Sequence, residues 1–223
     1  MNKELKKSIP ILIIFVAFSV GMILTIMHFL TPTKVLPIFN PADINPDLVD
    51  KSVQDVRKYH TIGDFQLVDQ NGDTITQNTY KNKIYVADFF FTTCQSICPK
   101  MSSNMQILQE KYKNDGDIML LSHSVTPVED SIPVLRRYAD EMKVIDSVWH
   151  LCTADKKQIY DLARKSYFAV LDKGDGGKQD FIHTENFILV DKKRRIRGFY
   201  DGTDKKDIDL LIKDIAILRK EYE

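Results

Sequence analysis

Ile84-Tyr85-Val86-Ala87-Asp88-Phe89-Phe90-Phe91 runs directly into Thr92-Thr93-Cys94-Gln95-Ser96-Ile97-Cys98-Pro99-Lys100-Met101. The first part is almost continuously apolar and rich in aromatics, which predicts a central strand covered on both faces. Beyond it Met101, Met105, Leu108 and Tyr112 recur at helical spacing, so a helix follows the strand and two cysteines lie at the junction. A sulfur at a helix N-terminus feels the positive end of the dipole and unpaired backbone N–H groups, and both favour thiolate over thiol. With Cys94 on the loop and Cys98 in the first turn, the two sulfurs can converge on one ion or bond each other. Pro99 suits an early helical position, where a missing N–H is harmless.

Outward from this junction the chain alternates strand-like and helix-like patterns. Upstream, residues 65–68 and 74–75 flank Asn71-Gly72, which predicts a hairpin closed by a type I′ turn with φ > 0 at both central positions. Downstream, residues 118–125 read as a second buried strand. The next helix is capped by Asp130 or Ser131, carries Pro133 in its first turn, and shows Val134, Leu135, Tyr138 and Met142 on one face. Residues 149–151 form a short strand, and Asp155 caps a helix bearing Ile159, Leu162 and Ala163. A second hairpin follows over 187–190 and 196–200, turning through Asp191-Lys192-Lys193. Thr203 or Asp204 opens a last helix with Ile208, Leu211, Ile212, Ile215 and Leu218. This order is that of an α/β, thioredoxin-like domain with an added N-terminal hairpin.

The N-terminal region has a different character. Residues 1–8 form a head with Lys3, Lys6 and Lys7 against Glu4, and residues 9–30 contain no formally charged side chain. That run spans about 33 Å as a helix, enough for a hydrocarbon core of about 30 Å. A cleaved signal peptide would have a shorter apolar core and a small-x-small cleavage site, whereas Thr31-Pro32-Thr33-Lys34 follows here, with no lipid-accepting cysteine. The expectation is a single uncleaved transmembrane helix over 9–30, with the basic head in the cytoplasm and everything after it on the extracytoplasmic side of the cell (inner) membrane. Residues 31–60 carry Pro32, Pro37, Pro41 and Pro46 and read as a tether, leaving 61–223 as the folded domain.

Composition narrows the function. The 223 residues hold 31 Lys+Arg against 31 Asp+Glu, and this balance argues against nucleic-acid binding, which needs a basic excess. Three cysteines are too few for a disulfide-stapled miniature fold, and an odd number leaves one over. Cys152 has no metal-ligand or C-x-x-C spacing to a neighbour and reads as a small buried hydrophobe. Met101 and Met105 are soft potential ligands whose helical spacing assigns them to the core. Lys192, Lys193, Arg194, Arg195 and Arg197 read as a solvated turn, with partner docking as the lesser alternative.

Three chemistries are open to Cys94 and Cys98. A soft-metal site needs a third ligand such as imidazole. A dithiol redox site would resemble C-x-x-C with one residue inserted. A peroxide-reducing nucleophile is disfavoured, because Phe91 and Gln95 stand where peroxiredoxins place Thr or Ser.

Phe91-Thr-Thr-Cys94-Gln-Ser-Ile-Cys98-Pro99 resembles the C-x-x-x-C-P motif of the Sco/SenC family, membrane-anchored thioredoxin-like proteins that bind copper and assist assembly of the dinuclear copper centre of cytochrome c oxidase. The resemblance continues through Val125-Thr126-Pro127-Val128-Glu129-Asp130-Ser131, Trp149-His-Leu151 and Ile159-Tyr-Asp-Leu162-Ala163, and covers about Ile62 to Leu218. His183, just before Phe187-Ile-Leu-Val-Asp191, falls where the family places its metal-binding histidine. It follows the Gly-rich, charged run 173–178, a loop able to swing a ligand.

The resemblance implies a metallochaperone whose metal ligands are Cys94, Cys98 and His183, a set suited to Cu(I), with Cu(II) admitted if further ligands join. Zinc would want a fourth ligand in a closed site. The implied partners are the copper-accepting subunit of cytochrome c oxidase and a protein that reduces the cysteine pair. The alternative is a thiol-disulfide oxidoreductase that uses Cys94 and Cys98 to reduce the acceptor's cysteines. Two departures stand out: Thr126 replaces the family's Asp before Pro, leaving Asp130 as the matching acid, and Cys152 stands where a hydroxyl residue is usual.

Overall fold

The computed structural model describes residues 3–30, 34–49, 53–170, 177 and 180–223. It divides into two units, 1–35 and 36–223. In the first, the backbone of Lys3–Leu30 is helical (α1), as a long apolar run without β-sheet partners must be if its backbone groups are to pair. Among the residues of α1 whose side chains are described, Pro10 and 12–27, no helix is long and apolar enough to cross a membrane. Met1 and Asn2 of the predicted head lie outside the described residues.

The second unit is built on a five-stranded sheet of order β5-β4-β3-β6-β7, comprising β3 Ile84–Phe90, β4 Ile118–Ser124, β5 Trp149–Cys152, β6 Asn186–Val190 and β7 Ile196–Asp201. β3 is central, parallel to β4 and antiparallel to β6, and β4 is parallel to β5. All seven residues of β3 are buried, as its unbroken apolar pattern predicted. Alternation divides it between two cores. Ile84, Val86 and Phe90 pack with Met101, Met105 and Leu108 of α2 (Cys98–Tyr112), Leu135 of α3 (Ile132–Glu141), and Ile208, Leu211 and Ile215 of α5 (Lys205–Lys220). Tyr85, Ala87 and Phe89 pack on the other side with Ile159 of α4 (Lys156–Asp161) and with Leu67 and Ile75 of the hairpin β1–β2 (Gln66–Val68, Thr74–Thr76). The parallel strands and crossover helices, the antiparallel pair and the terminal helix make this a thioredoxin-like α/β fold with the added N-terminal hairpin.

Two details differ from the sequence reading. The hairpin turn is not type I′: only Gly72 has positive φ, at +85°. Gly72 N–H donates to Asp69 O, and Asp69 N–H to Asp73 O, both at 3.0 Å, while the Asp69 carboxylate accepts from the N–H groups of Asn71 and Asp73. Asp69, absent from the dipeptide rule, therefore sets the turn. The expected tether is also shorter than 31–60. From Leu36 the chain belongs to the folded unit, with Leu36 and Val49 buried and Phe39 bridging to Ile196. The prolines at 41 and 46 start short 3₁₀ turns on the surface of the domain.

The cause is Arg197, expected in a solvated turn but only 1 % exposed. Its guanidinium donates to Pro37 O (2.9 Å), Leu36 O (2.7 Å), Asp191 Oδ2 (3.1 Å) and Glu221 Oε2 (2.6 Å), and Leu36 N–H donates to Glu221 Oε1 (2.8 Å). A buried guanidinium needs its donors filled; the 36–37 carbonyls supply two acceptors that the sheet cannot.

Candidate metal and dithiol site

β3 ends at Phe90 and α2 begins at Cys98, so the loop 91–97 hangs from the most buried strand and feeds a helix N-terminus. Both sulfurs are buried, with Cys94 8 % and Cys98 3 % exposed. Cys98 N–H, one of the donors that the helix leaves unpaired, donates to Cys94 Sγ at 3.4 Å. The Ser96 hydroxyl lies 3.5 Å from the same sulfur. Burial pushes the Cys94 thiol up, but the hydrogen bonds from Cys98 and Ser96, thiol, hydroxyl and backbone together, outweigh it and lower the pKa to about 7. Burial pushes Cys98 up, the hydrogen bond to Cys94 adds to it, and the pKa reaches about 12. The helix terminus therefore acts on the cysteine that precedes it rather than on the one inside it. One thiol is ready to ionise near neutral pH and its neighbour is held protonated.

The loop is fixed from below by Asp130, which is fully buried. Its carboxylate accepts from Thr92 Oγ1 (2.5 Å), Ser124 Oγ (2.6 Å), Thr126 Oγ1 (3.0 Å) and, at 3.3 Å, Thr92 N–H. The acid that still matches the family pattern thus faces inward and ties the loop before Cys94 to the end of β4. Thr126, which replaces the missing acid, is one of its donors. Of the two cap candidates for α3, Ser131 takes the position and Asp130 is left to this clamp.

His183 is exposed and lies between buried Ile182 and Thr184. Its segment is pinned on both sides. Arg164 grips Asp180 through two bonds, 2.6 and 2.8 Å, and Thr184 Oγ1 donates to Ala169 O. The Phe181 ring meets Phe91 edge-on at 5.3 Å, which brings the histidine's segment against the cysteine loop. Among the described residues no group of three or more His, Cys, Asp or Glu side chains is placed to hold a metal ion. The structure thus brings Cys94 and Cys98 together and sets His183 on the adjoining segment without joining it to them. The Gly-rich run 173–178 lies, apart from Gly177, outside the described residues. Cys152, Met101 and Met105 are fully buried core residues, as expected.

Two buried groups were missed from sequence. Asp88, on the α2 side of β3, has an Oδ1 without a hydrogen-bond partner; burial raises its pKa to about 7 against the pull of the Ser122 hydroxyl, and its charge helps keep Cys98 protonated. His123, fully buried in β4, stacks on Phe89 at 4.8 Å and leaves Nε2 unpartnered; burial lowers its pKa to about 4 although Nδ1 meets Asp88 O. A lone acid and a lone imidazole inside apolar runs were the signal.

A thioredoxin-like sheet that presents two unequal thiols where its central strand meets a helix defines a dithiol protein of that fold class. The chain belongs to the SCO1/SenC family, whose pattern matches residues 53–218. It is 31% identical over 153 residues to the SCO1 protein homolog of Bacillus subtilis (strain 168), covering 68% of this chain and 79% of the relative. Among solved structures it is similar to BsSco, described as a member of the Sco family of cytochrome c oxidase assembly proteins with a disulfide switch, at TM-score 0.61 and 29% identity over 71% of this chain and 93% of that one. Bradyrhizobium japonicum ScoI, solved with copper bound, shares the fold at TM-score 0.56 and 23% identity, covering 72% of this chain and 99% of that one.

Proposed function

We propose that this chain is a membrane-anchored copper chaperone that takes copper on Cys94, Cys98 and His183 and delivers it during assembly of the dinuclear copper site of cytochrome c oxidase. The observation that carries the reading is the pair of adjacent, unequal thiols, Cys98 N–H donating to Cys94 Sγ at 3.4 Å, beside a segment that presents an exposed imidazole. Two sulfurs and one imidazole suit a soft ion. Cys94, whose pKa is lowered to about 7, is the thiolate that meets the incoming copper. Cys98 gives up its proton as copper binds, and His183 on the adjoining segment completes the set. Delivery is ligand exchange, in which the acceptor's thiolates replace Cys94 and Cys98 in turn and the ion keeps its oxidation state. The copper named in the description of one structural relative and the oxidase assembly named in that of another support the cargo and the acceptor.

The apolar, helical run at 9–30 supports an anchor with residues 1–8 in the cytoplasm and the domain on the extracytoplasmic side of the cell membrane.

A second reading has its own support. The inequality of the thiols, about 7 against about 12, suits thiol-disulfide exchange: Cys94 attacks an acceptor disulfide, Cys98 then displaces the reduced acceptor, and a partner reductant resets the Cys94–Cys98 bond. Titrating the reduced full chain with Cu(I) against a competing chelator separates the two. Retention of one copper per chain, weakened in His183→Ala, is the result expected; equal retention with and without His183 removes His183 from the ligand set, and failure to retain copper with no effect of His183→Ala sinks the metal reading and leaves the redox one.

A further inference from the structure

The segment through which the chain joins the folded unit runs along the turn end of the sheet. Phe39 bridges to Ile196 at the start of β7, and Ile62 N–H donates to Arg194 O at 2.8 Å. Ala42 N–H donates to Val56 O at 3.1 Å, so the residues on either side of that bond lie together. Three apolar side chains are exposed there: Ile38 at 40%, Val56 at 37% and Tyr59 at 93%. Tyr59 also has φ = 68°, a left-handed backbone that a bulky residue adopts only against steric cost, and its ring is held in solvent beside exposed Arg57 and Lys58. An aromatic with a polar tip flanked by cations is the composition of a lipid headgroup interface.

Next to it, Lys81, Asn82, Lys192, Lys193 and Arg194 line a cleft of about 420 Å³ together with Asp64, Gln77 and Asn78. Arg194 is paired with Asp64 and Lys192 with Asp117, but Lys81, Lys193, Arg57 and Lys58 have no ion-pair partner among the described residues.

We infer that this face, Ile38, Val56 and Tyr59 with Arg57, Lys58, Lys81 and Lys193, rests on the surface of a bilayer containing anionic lipid. The inference rests on the anchor reading for the reach of the chain. The apolar run ends at Leu30 and the folded unit starts at Leu36, so the join lies within about 20 Å of the end of the run even when fully extended. The bilayer surface is then the partner that this face meets first, and the charges suit anionic headgroups. β3 rises about 3.3 Å per residue, and Cys94 follows its far end, so a domain seated this way holds its thiols on the side away from the lipid.

The test uses the full chain with Tyr59→Trp in vesicles of brominated lipid, because Trp149 is 1 % exposed and sequestered from lipid. Vesicles of phosphatidylcholine alone are compared with vesicles that also contain phosphatidylglycerol, and alkaline carbonate extraction reads the anchor separately. The expected result is quenching of the added fluorophore in the anionic vesicles, weakened by salt. Neutralising Lys58, Lys81 and Lys193 to Gln removes the bias toward the seated state by about fivefold per residue. Absence of quenching, or quenching equal in neutral lipid and in the neutralised chain, overturns the docking face whether or not the chain resists extraction. Extraction by carbonate overturns the anchor alone, and the same quenching comparison on chain added to vesicles still decides the face.

Discussion

Thr92 Oγ1 donates to Asp130 Oδ1 at 2.5 Å, and this one contact fastens the loop that carries Cys94 to the segment that follows β4. Because Asp130 also accepts from Ser124 and Thr126, its loss leaves one buried hydroxyl, Ser124, and two half-buried ones, Thr92 and Thr126, without this acceptor. Asp130→Ala is expected to cost about 2–4 kcal/mol in urea unfolding, since each stranded buried donor costs about 1–3 kcal/mol. Asp130→Asn, which keeps one acceptor oxygen, is expected to cost less than half of that. Equal stability of Asp130→Ala and the parent would show that the clamp is not formed.

The thiols should separate in alkylation of the reduced, metal-free chain. Cys94 is expected to react with iodoacetamide along a titration curve centred near pH 7, and Cys98 to stay unreactive until far more alkaline pH. Stability follows the same shifts. The Cys94 pKa is depressed from 9.0 to about 7, so its contribution is full above pH 9 and is lost as pH falls through 7. Cys98, raised from 9.0 to about 12, acts the other way, and its burial weakens the fold as pH climbs above 9. Mass mapping of alkylated peptides across pH tests the assignment, and a reversed order of reactivity would refute it.

His183 is exposed and its change to Ala should leave the unfolding midpoint unmoved. Copper retention should fall by more than the 10- to 100-fold, roughly, that the loss of a supporting residue costs a metal site. Cys94→Ser and Cys98→Ser should each abolish retention under the same competition. A His183→Ala chain that unfolds early would point to a packing role instead.

Asp88 and His123 make opposite contributions to the acid limb of stability. The His123 pKa is lowered from 6.5 to about 4, so the folded state loses about 3 kcal/mol as pH falls across that window. The Asp88 pKa is raised from 3.8 to about 7, so acidification over that range favours the folded state. His123→Phe, which keeps the stacking on Phe89, should make the chain gain stability between pH 7 and 4, and Asp88→Asn should make it lose stability over the same range. Unfolding midpoints measured at half-unit pH steps check both signs.

Arg197→Ala should cost about 3–5 kcal/mol, because it leaves Glu221 without its counter-charge and strands the Leu36 and Pro37 carbonyls, while Asp191 keeps only Arg195. A fragment starting at residue 61 should be destabilised to a comparable degree, whereas one starting at residue 34 should fold. Calorimetry of the two fragments decides where the domain begins.

These outcomes also mark what could be read from the residues alone. β3 was legible because burial on both faces writes itself as an unbroken apolar run, and α2 because its Met and Leu positions keep helical spacing. Cys94, Cys98 and His183 were named from a motif and a resemblance, and the geometry puts the first two together. The reach of the domain back to Leu36 was not legible. Four prolines in a stretch of low periodicity look like a tether, and the partner that captures it, Arg197, lies 160 positions away from Pro37. The hairpin turn was half read: Gly72 has the positive φ that its residue type offers, but Asp69, two positions outside the Asn-Gly pair, fixes the backbone. The ordering of the thiols was hidden for a similar reason, since a dipole argument favours the cysteine inside the helix and burial reverses it.

The Arg197 cluster gives the domain a mechanical character. One guanidinium joins the first residues of the folded unit to Glu221, just past the end of α5, and to the β6–β7 corner. A pull transmitted along the chain from the N-terminal side is therefore shared between the two extremes of the fold and loads the hydrogen bonds at Leu36, Pro37 and Glu221 together instead of unzipping them singly. None of the hydrogen bonds so loaded involves the cysteine loop, which follows the opposite end of β3.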